Sequence, residues 1–256
     1  MARHAFTDDS RVVLRITGAD AEPLLQDLVT NDLGKLGEDN LLYAALLTPQ
    51  GKYLFDFFLK RSGDALLLDV VKDRAPALAQ RLMMYRLRRE MDIEATDQSV
   101  SLIWGDAPVE EGALPDPRAD GLGWRLYGAP VDQTADKAAY DALRVSLGVP
   151  QTGTELMADD SYILEMGFER LNGVDFKKGC YVGQEVTARM KHKTELRKGL
   201  ATVSVEGAVA AGDEIMADGK SAGAVHTVSG DRALAYLRFD RAKGEMTAGD
   251  AVLRRV

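Results

Sequence analysis

Three strand-like runs joined by tight turns constrain this chain more than any other feature. Leu41–Leu47 is continuously apolar. Tyr53–Leu59 is rich in aromatics, and Ala65–Val71 is aliphatic but for Asp69. Thr48-Pro49-Gln50-Gly51 separates the first two, with proline fixing one backbone angle and glycine permitting an unusual one. Ser62-Gly63-Asp64 separates the second from the third. Leu41–Leu47 reads as a buried strand, and the three runs joined by such turns predict an antiparallel meander.

The flanking segments supply helices. Val12–Ile16 reads as a strand. Thr17-Gly18-Ala19-Asp20 then opens a helix with Pro23 in its first turn, Leu24, Leu25, Leu28 and Val29 on one stripe, and an end near Thr30-Asn31-Asp32. Asp73 is placed to cap a second helix running to Arg89. A third is expected over Thr134–Leu147, stopped by Gly148 and Pro150. Residues 105–121, rich in proline, glycine and acids, read as a loop or linker and not a core element. From Gly199 the texture becomes short β runs (Ala201–Val205, Gly223–Val228, Arg232–Leu237) between glycine turns, the pattern of a small barrel of about 55 residues. The basic stretch Arg189–Lys198 would connect the two parts. The expected division is therefore 1–195 and 196–256.

Composition removes several function classes. One cysteine, Cys180, rules out an intrachain disulfide and an all-cysteine metal site within the chain. His4, His192 and His226 have no ligand spacing, so no metal site is expected. A net charge of -8 argues against general nucleic-acid binding. No apolar run of about 18 residues is present, so no membrane partner is expected. The start lacks the apolar core of a secretory signal, which leads to the expectation of a cytoplasmic protein. Gly219-Lys220-Ser221 is not a P-loop, because Glu214 stands where that motif needs glycine.

The densest cluster of chemistry is Asn172-Gly173-Val174-Asp175-Phe176-Lys177-Lys178-Gly179-Cys180-Tyr181-Val182-Gly183-Gln184-Glu185. Gly179 and Gly183 allow tight backbone around the thiol and close approach of a ligand. Lys177 and Lys178 are placed to favour the thiolate. Read from spacing alone, the same residues also describe a bent loop with an inert cysteine. Arg189, Lys191, His192, Lys193, Arg197 and Lys198 follow, either a charged linker or a receptor for an anion.

Lys178-Gly179-Cys180-Tyr181-Val182-Gly183-Gln184-Glu185, continued by Val186-Thr187-Ala188-Arg189, resembles the signature of the YgfZ family of folate-binding proteins, which is related to the glycine-cleavage T-protein, an aminomethyltransferase. Three further blocks are similar to that superfamily: Ile16–Asp32, ending in Thr30-Asn31-Asp32; Leu46-Leu47-Thr48-Pro49-Gln50-Gly51-Lys52; and the barrel segments Gly223–Val225 and Ala233–Arg238. The resemblance covers essentially the whole chain, least clearly at 105–135. The Asn-Gly-Val context and Val-Thr-Ala-Arg tail look closer to mitochondrial-type members than to the enterobacterial type.

The resemblance implies an α+β, T-protein-like multi-lobed folate-binding fold of antiparallel sheets and helices, with a small C-terminal β-barrel. It implies tetrahydrofolate or a derivative as cofactor, and iron–sulfur assembly proteins or client enzymes as partners. The implied function is accessory: iron–sulfur cluster assembly or repair, affecting tRNA modification through iron–sulfur enzymes. Leu164-Glu165-Met166-Gly167 matches the T-protein run whose glutamate meets the pterin ring. Asp56 matches one member of an acidic pair and Phe55 replaces the other, which argues against aminomethyl transfer. Cys180 and Asp56 are thus the candidate catalytic residues. Glu165, Asp56, Asn31, Lys178, Gly179, Gln184 and Arg189 are the candidate folate contacts. Two other readings remain open: a tetrahydrofolate-dependent one-carbon transferase, and a partner-binding module with a vestigial folate site. One cysteine cannot hold a cluster that usually takes four ligands, so a cluster would be shared with a second chain.

Overall fold

The computed structural model describes residues 2–106, 110–192 and 195–256. Its chain forms β1 (His4–Thr7), β2 (Arg11–Thr17), α1 (Ala21–Leu28), β3 (Leu42–Leu47), β4 (Tyr53–Ser62), β5 (Ala65–Val71), α2 (Ala75–Arg86), β6 (Asp92–Ala95), β7 (Ser99–Trp104), β8 (Leu114–Pro115), β9 (Trp124–Gly128), α3 (Lys137–Ser146) and α4 (Gln184–His192). The strands of the last quarter are β10 (Lys198–Glu206), β11 (Glu214–Ala217), β12 (Lys220–Ser229), β13 (Arg232–Arg238), β14 (Met246–Ala248) and β15 (Ala251–Arg255).

The meander makes up one side of a five-stranded antiparallel sheet ordered β3-β4-β5-β2-β6, with β3 at the edge. Its two faces explain why β3 has no polar side. Leu42, Ala44 and Leu46 join α1 and α2 in one core, with Leu24, Leu25, Leu28, Leu78 and Leu82. Tyr43, Ala45 and Leu47 join the opposite core. That second core is shared with a four-stranded sheet, β1-β7-β9-β8, through Phe6, Val100, Leu102 and Trp104. The period of two along β4 sends Phe55 and Phe57 to the helical side and Phe58 to the other. Asp56, two residues from Phe58, shares its side. The six strands β10-β13-β12-β11-β14-β15 close into a barrel with its own core of Val203, Ile215, Ala235, Leu237 and Leu253.

Several local expectations are corrected. The second helix starts at Ala75 after a turn of 3-10 helix, has no side-chain cap and carries Pro76 in its first turn, so Asp73 does not cap it; it stops at Arg86. The third helix starts later than expected, at Lys137, because Asp136 accepts a 2.9 Å bond from the Ala139 amide and so fixes the first turn. The stretch taken as a connection is half helical: Arg189–His192 form the last turn of α4, while Lys193 lies outside the described residues. The largest correction concerns 105–121. This loop contributes buried Leu114, Asp116 and Arg118, because Asp116 and Arg118 satisfy each other's charge inside the fold and do not need solvent. No helix among the described residues is long and apolar enough to cross a membrane.

Candidate functional site

The Cys180 loop is fixed from both ends. Upstream, the last turn of α1 holds it. The Thr30 hydroxyl donates to the Gly173 carbonyl at 2.6 Å, and Asn31 Nδ2 donates to the carbonyls of Tyr43 (2.8 Å) and Asn172 (2.7 Å). Lys178 Nζ, nearly enclosed, donates to the carbonyls of Gln26 (2.7 Å), Val29 (2.6 Å) and Asn31 (3.0 Å). The first two are acceptors that a helix leaves open at its C-terminus, the third lies just beyond it, and an ammonium with three donors suits all three. Burial pulls the Lys178 ammonium down to about 8, against the opposing charges of Asp32, Asp175 and Asp27.

Downstream, Gly183 has φ +84°, and a Cβ there would meet the Thr48 carbonyl oxygen at 2.6 Å. The turn Thr48–Gly51 therefore packs directly on the start of α4. Val182 also packs into the helix-covered core. Between these anchors Cys180 is exposed. Gly179 has open space beside it, and Gln184 Nε2 donates to the Gly179 carbonyl at 3.3 Å. Lys178 is thus spent on α1, and its position is that of a clamp. Asn31 is likewise buried and occupied by backbone carbonyls. Arg189 sits on the exposed face of α4, paired with Glu185 at 2.7 Å.

Asp56 lies at a cavity of about 140 Å³. Its carboxylate is buried and has no ion-pair partner among the described residues. Tyr43 Oη donates to Oδ2 at 3.0 Å and Tyr53 Oη to Oδ1 at 2.6 Å, with the Thr152 hydroxyl on Oδ1 as well. Burial and the Asp56 charge hold both tyrosines well above the usual phenol range, so they remain donors.

The other wall of this cavity is an ion network on the same side of the sheet. Asp69 receives Arg11 and two bonds from Arg125 (3.0 and 2.7 Å). Asp116 receives a fork from Arg118 (2.9 and 2.7 Å) and a third contact from Arg125 at 3.3 Å. Both guanidinium groups lie over the Phe58 ring, at 4.0 Å for Arg125 and 4.8 Å for Arg118. Burial alone would raise both carboxyls, but the arginines override it and hold them below the usual range. The network went unread in the sequence. Its available signal was Asp69, an acid inside the apolar run Ala65–Val71, which a buried strand tolerates only with a partner.

Glu165 lies elsewhere. It lines a second cavity of about 310 Å³ together with Lys52, Tyr162, Lys198, His226 and Tyr236. Tyr236 Oη, on β13 of the barrel, donates to Glu165 Oε2 at 2.6 Å. The Glu165 carbonyl accepts the Leu200 amide of β10 at 2.8 Å, so barrel and carboxylate are joined at this point. The two cavities meet across a buried strap: Arg144, at the first, donates to Glu155, at the second, at 3.2 Å, and to Thr227 of β12 at 3.0 Å. Asp56 and Glu165, matched to one ligand by the resemblance, thus line different cavities. Among the described residues no three histidine, cysteine or acidic side chains converge as a metal site.

Comparison with known proteins places these features. A model of the CAF17 C-terminal β-barrel domain matches residues 197–255. The mitochondrial iron–sulfur cluster assembly factor IBA57 of Mus musculus is 30% identical over 285 residues, covering 94% of this chain and 79% of that protein. The corresponding Homo sapiens protein is 30% identical over 281 residues, with the same shares covered. Among solved structures, the glycine cleavage system aminomethyltransferase T from Bartonella henselae superposes with a TM-score of 0.77, covering 99% of this chain and 84% of that one at 14% identity. That identity speaks for the fold alone, and the T-protein-like α+β architecture with a C-terminal barrel is what the chain has. The expected cytoplasmic location is overturned: the relatives at this level of similarity are named as mitochondrial proteins.

Proposed function

The chain belongs to the IBA57 family of iron–sulfur cluster assembly factors, and from that membership we propose that Cys180 lends one thiolate to a cluster held jointly with a second protein. One observation carries the proposal: the only thiol is exposed on a loop clamped on both sides, by Lys178 and by Gly183. A clamped, solvent-facing thiol is suited to completing a ligand set supplied from outside, since a cluster usually takes four ligands. The cluster is cargo, passed on when the partner leaves. Effects on tRNA modification follow in this reading through enzymes that depend on such clusters, as in the YgfZ branch.

The finer half of the proposal is a reduced folate at Glu165. The side chains there fit the ligand class. A carboxylate accepts from adjacent pterin N–H groups, Tyr162 and Tyr236 offer aromatic faces, and Lys52 and Lys198 suit a carboxylate tail. A bound tetrahydrofolate supplies a one-carbon carrier. Glu165 orients the ring, and Tyr236 holds the carboxylate in place from the barrel. In this reading 1–195 form the folate-binding part and 196–256 the barrel that closes over it.

Replacing Cys180 with alanine, in cells lacking the native gene, is expected to abolish recovery of a [4Fe–4S] enzyme. Full recovery removes Cys180 from the mechanism. Calorimetric titration with tetrahydrofolate is expected to give saturable heat, and a flat titration leaves a partner-binding module. A second reading, one-carbon transfer, draws on Asp56, a buried carboxylate at a cavity, held by hydroxyl groups and with no ion-pair partner among the described residues. Its test is formation of methylenetetrahydrofolate from tetrahydrofolate and an aminomethyl donor; no product above background counts against it.

A further inference from the structure

The C-terminal half of α2 does not hide its apolar residues. Leu78 and Leu82 face the sheet, but Met83, Met84 and Leu87 are 40%, 67% and 85% exposed. These are three of the five large apolar side chains exposed among the described residues, and spacings of three and four place them on one surface. The helix ends by turning Leu87 outward with φ 50° and ψ -106°, a backbone state that a branched side chain rarely adopts. Packing does not account for it, because the side chain it presents touches solvent.

Arginines frame this patch. Arg86 reaches Asp92 and Arg89 reaches Asp27, but Arg81 and Arg88 have no hydrogen-bond or ion-pair partner among the described residues. In a chain of net charge -8 this is a local reversal of sign. An acidic protein is repelled by most of the molecule and attracted here, which gives orientation as well as encounter rate. Methionines suit such a surface because their unbranched chains adapt to a partner, and arginine is favoured at binding anchors.

The last turn of α1 links the end of α2 to the Cys180 loop. Arg89 donates to Asp27 of α1 at 2.9 Å, and Lys178 caps the same last turn through Gln26 and Val29. One helical turn therefore has the end of α2 on one side and the cysteine loop on the other. We infer that Met83, Met84 and Leu87, framed by Arg81 and Arg88, form the docking surface for an acidic protein with an exposed apolar patch, which thereby meets Cys180. This rests on the reading of Cys180 as a shared ligand. A membrane is the less fitting occupant: α2 has no tryptophan or phenylalanine, and its arginines interleave with its apolar residues instead of forming an opposite face.

The test uses the full chain in cells lacking the native gene. Met84→Glu/Leu87→Glu and Arg81→Glu/Arg88→Glu are expected to lower recovery of a [4Fe–4S] enzyme at least tenfold, as Cys180→Ala does, with unchanged melting temperature and tetrahydrofolate binding. A photo-cross-linking side chain at Met84 is expected to capture one acidic protein, identified by mass spectrometry. A second probe at Gly179, where space is open, is expected to capture the same protein. Loss of the Met84 cross-link in the Arg81→Glu/Arg88→Glu background completes the support. Full recovery by either double variant, while Cys180→Ala fails, overturns the docking surface and leaves the shared-cluster reading standing. Full recovery by Cys180→Ala overturns that reading. A cross-link from Gly179 without one from Met84 also overturns the docking surface. So does binding to phosphatidylglycerol–phosphatidylcholine vesicles that Met84→Glu/Leu87→Glu abolishes.

Discussion

The ammonium of Lys178 caps the carbonyl of Val29 at 2.6 Å, across 149 residues of sequence. The bond joins the signature loop to the end of α1, and two sister bonds to Gln26 and Asn31 make it a three-point clamp. Lys178→Met keeps the apolar stem and removes all three donors. Leaving enclosed carbonyls without donors is expected to cost about 2–4 kcal/mol. Urea denaturation measures this. A loss below about 0.5 kcal/mol would mean that water replaces the ammonium.

The same clamp titrates. Burial lowers the folded-state pKa of Lys178 to about 8, from the ordinary lysine value of 10.5. Between those two pH values the unfolded chain holds a proton that the folded chain has released. This residue's contribution to stability therefore rises with pH across that window and is lowest below it. Nζ chemical shifts followed by NMR are expected to show a midpoint near 8, and a midpoint at the free lysine value refutes the burial argument. The rise in stability across the window should be missing from Lys178→Met.

The sequence exposed what is local and periodic. The apolar run Leu41–Leu47, the turn at Pro49-Gln50-Gly51 and the glycine-punctuated barrel each carry their geometry in a few adjacent residues. The signature loop was visible as a motif, but the inward turn of Lys178 was not, because its acceptors are backbone carbonyls at and just past a helix end, which any sequence possesses. The second sheet and the Asp69–Arg125–Asp116 network were unreadable for a related reason. Asp116 and Arg118 stand in a segment of loop-like composition, and only the tertiary fold brings Arg125 between two acids 47 positions apart in the chain, Asp69 and Asp116.

The two glycines flanking Cys180 are expected to differ. At Gly183 the backbone is left-handed and a Cβ would strike the Thr48 carbonyl oxygen, so Gly183→Ala must move a turn. A cost of about 2–4 kcal/mol is expected from strain and overpacking together. At Gly179 nothing lies within 4 Å and φ is ordinary, so Gly179→Ala should stay within about 0.5 kcal/mol. Thermal melts of the two variants check the contrast; equal effects would mean that the contact between Thr48 and Gly183 carries no weight.

The Asp69–Asp116 network sets an acid limit. Both carboxyls are held below the usual range in the folded protein, so their contribution is complete above the unfolded carboxylate range. It is lost as pH falls through the lowered folded values. Asp69→Asn removes the charge facing enclosed Arg125 and Arg11, and is expected to cost about 3–5 kcal/mol at neutral pH. Its stability should then fall less steeply on acidification than that of the wild type, as read by circular dichroism from pH 7 to pH 2.

Separate cavities for Asp56 and Glu165 make a prediction about folate that one shared site does not. With the pterin at Glu165, Glu165→Gln replaces one acceptor by a donor that opposes the ring N–H groups, and affinity for tetrahydrofolate should fall at least about tenfold, or 1.4 kcal/mol. Tyr236→Phe removes the 2.6 Å bond that holds the carboxylate, and a smaller loss of about threefold is expected. Asp56→Asn keeps the size of the side chain beside Tyr43, Tyr53 and Thr152, and should change affinity less than about twofold, because its cavity is the other one. Isothermal calorimetry on the three variants decides the matter. If Asp56→Asn weakens binding as much as Glu165→Gln, the ligand spans both cavities across the Arg144–Glu155 strap, and Asp56 then lies at the ring where one-carbon transfer would need it.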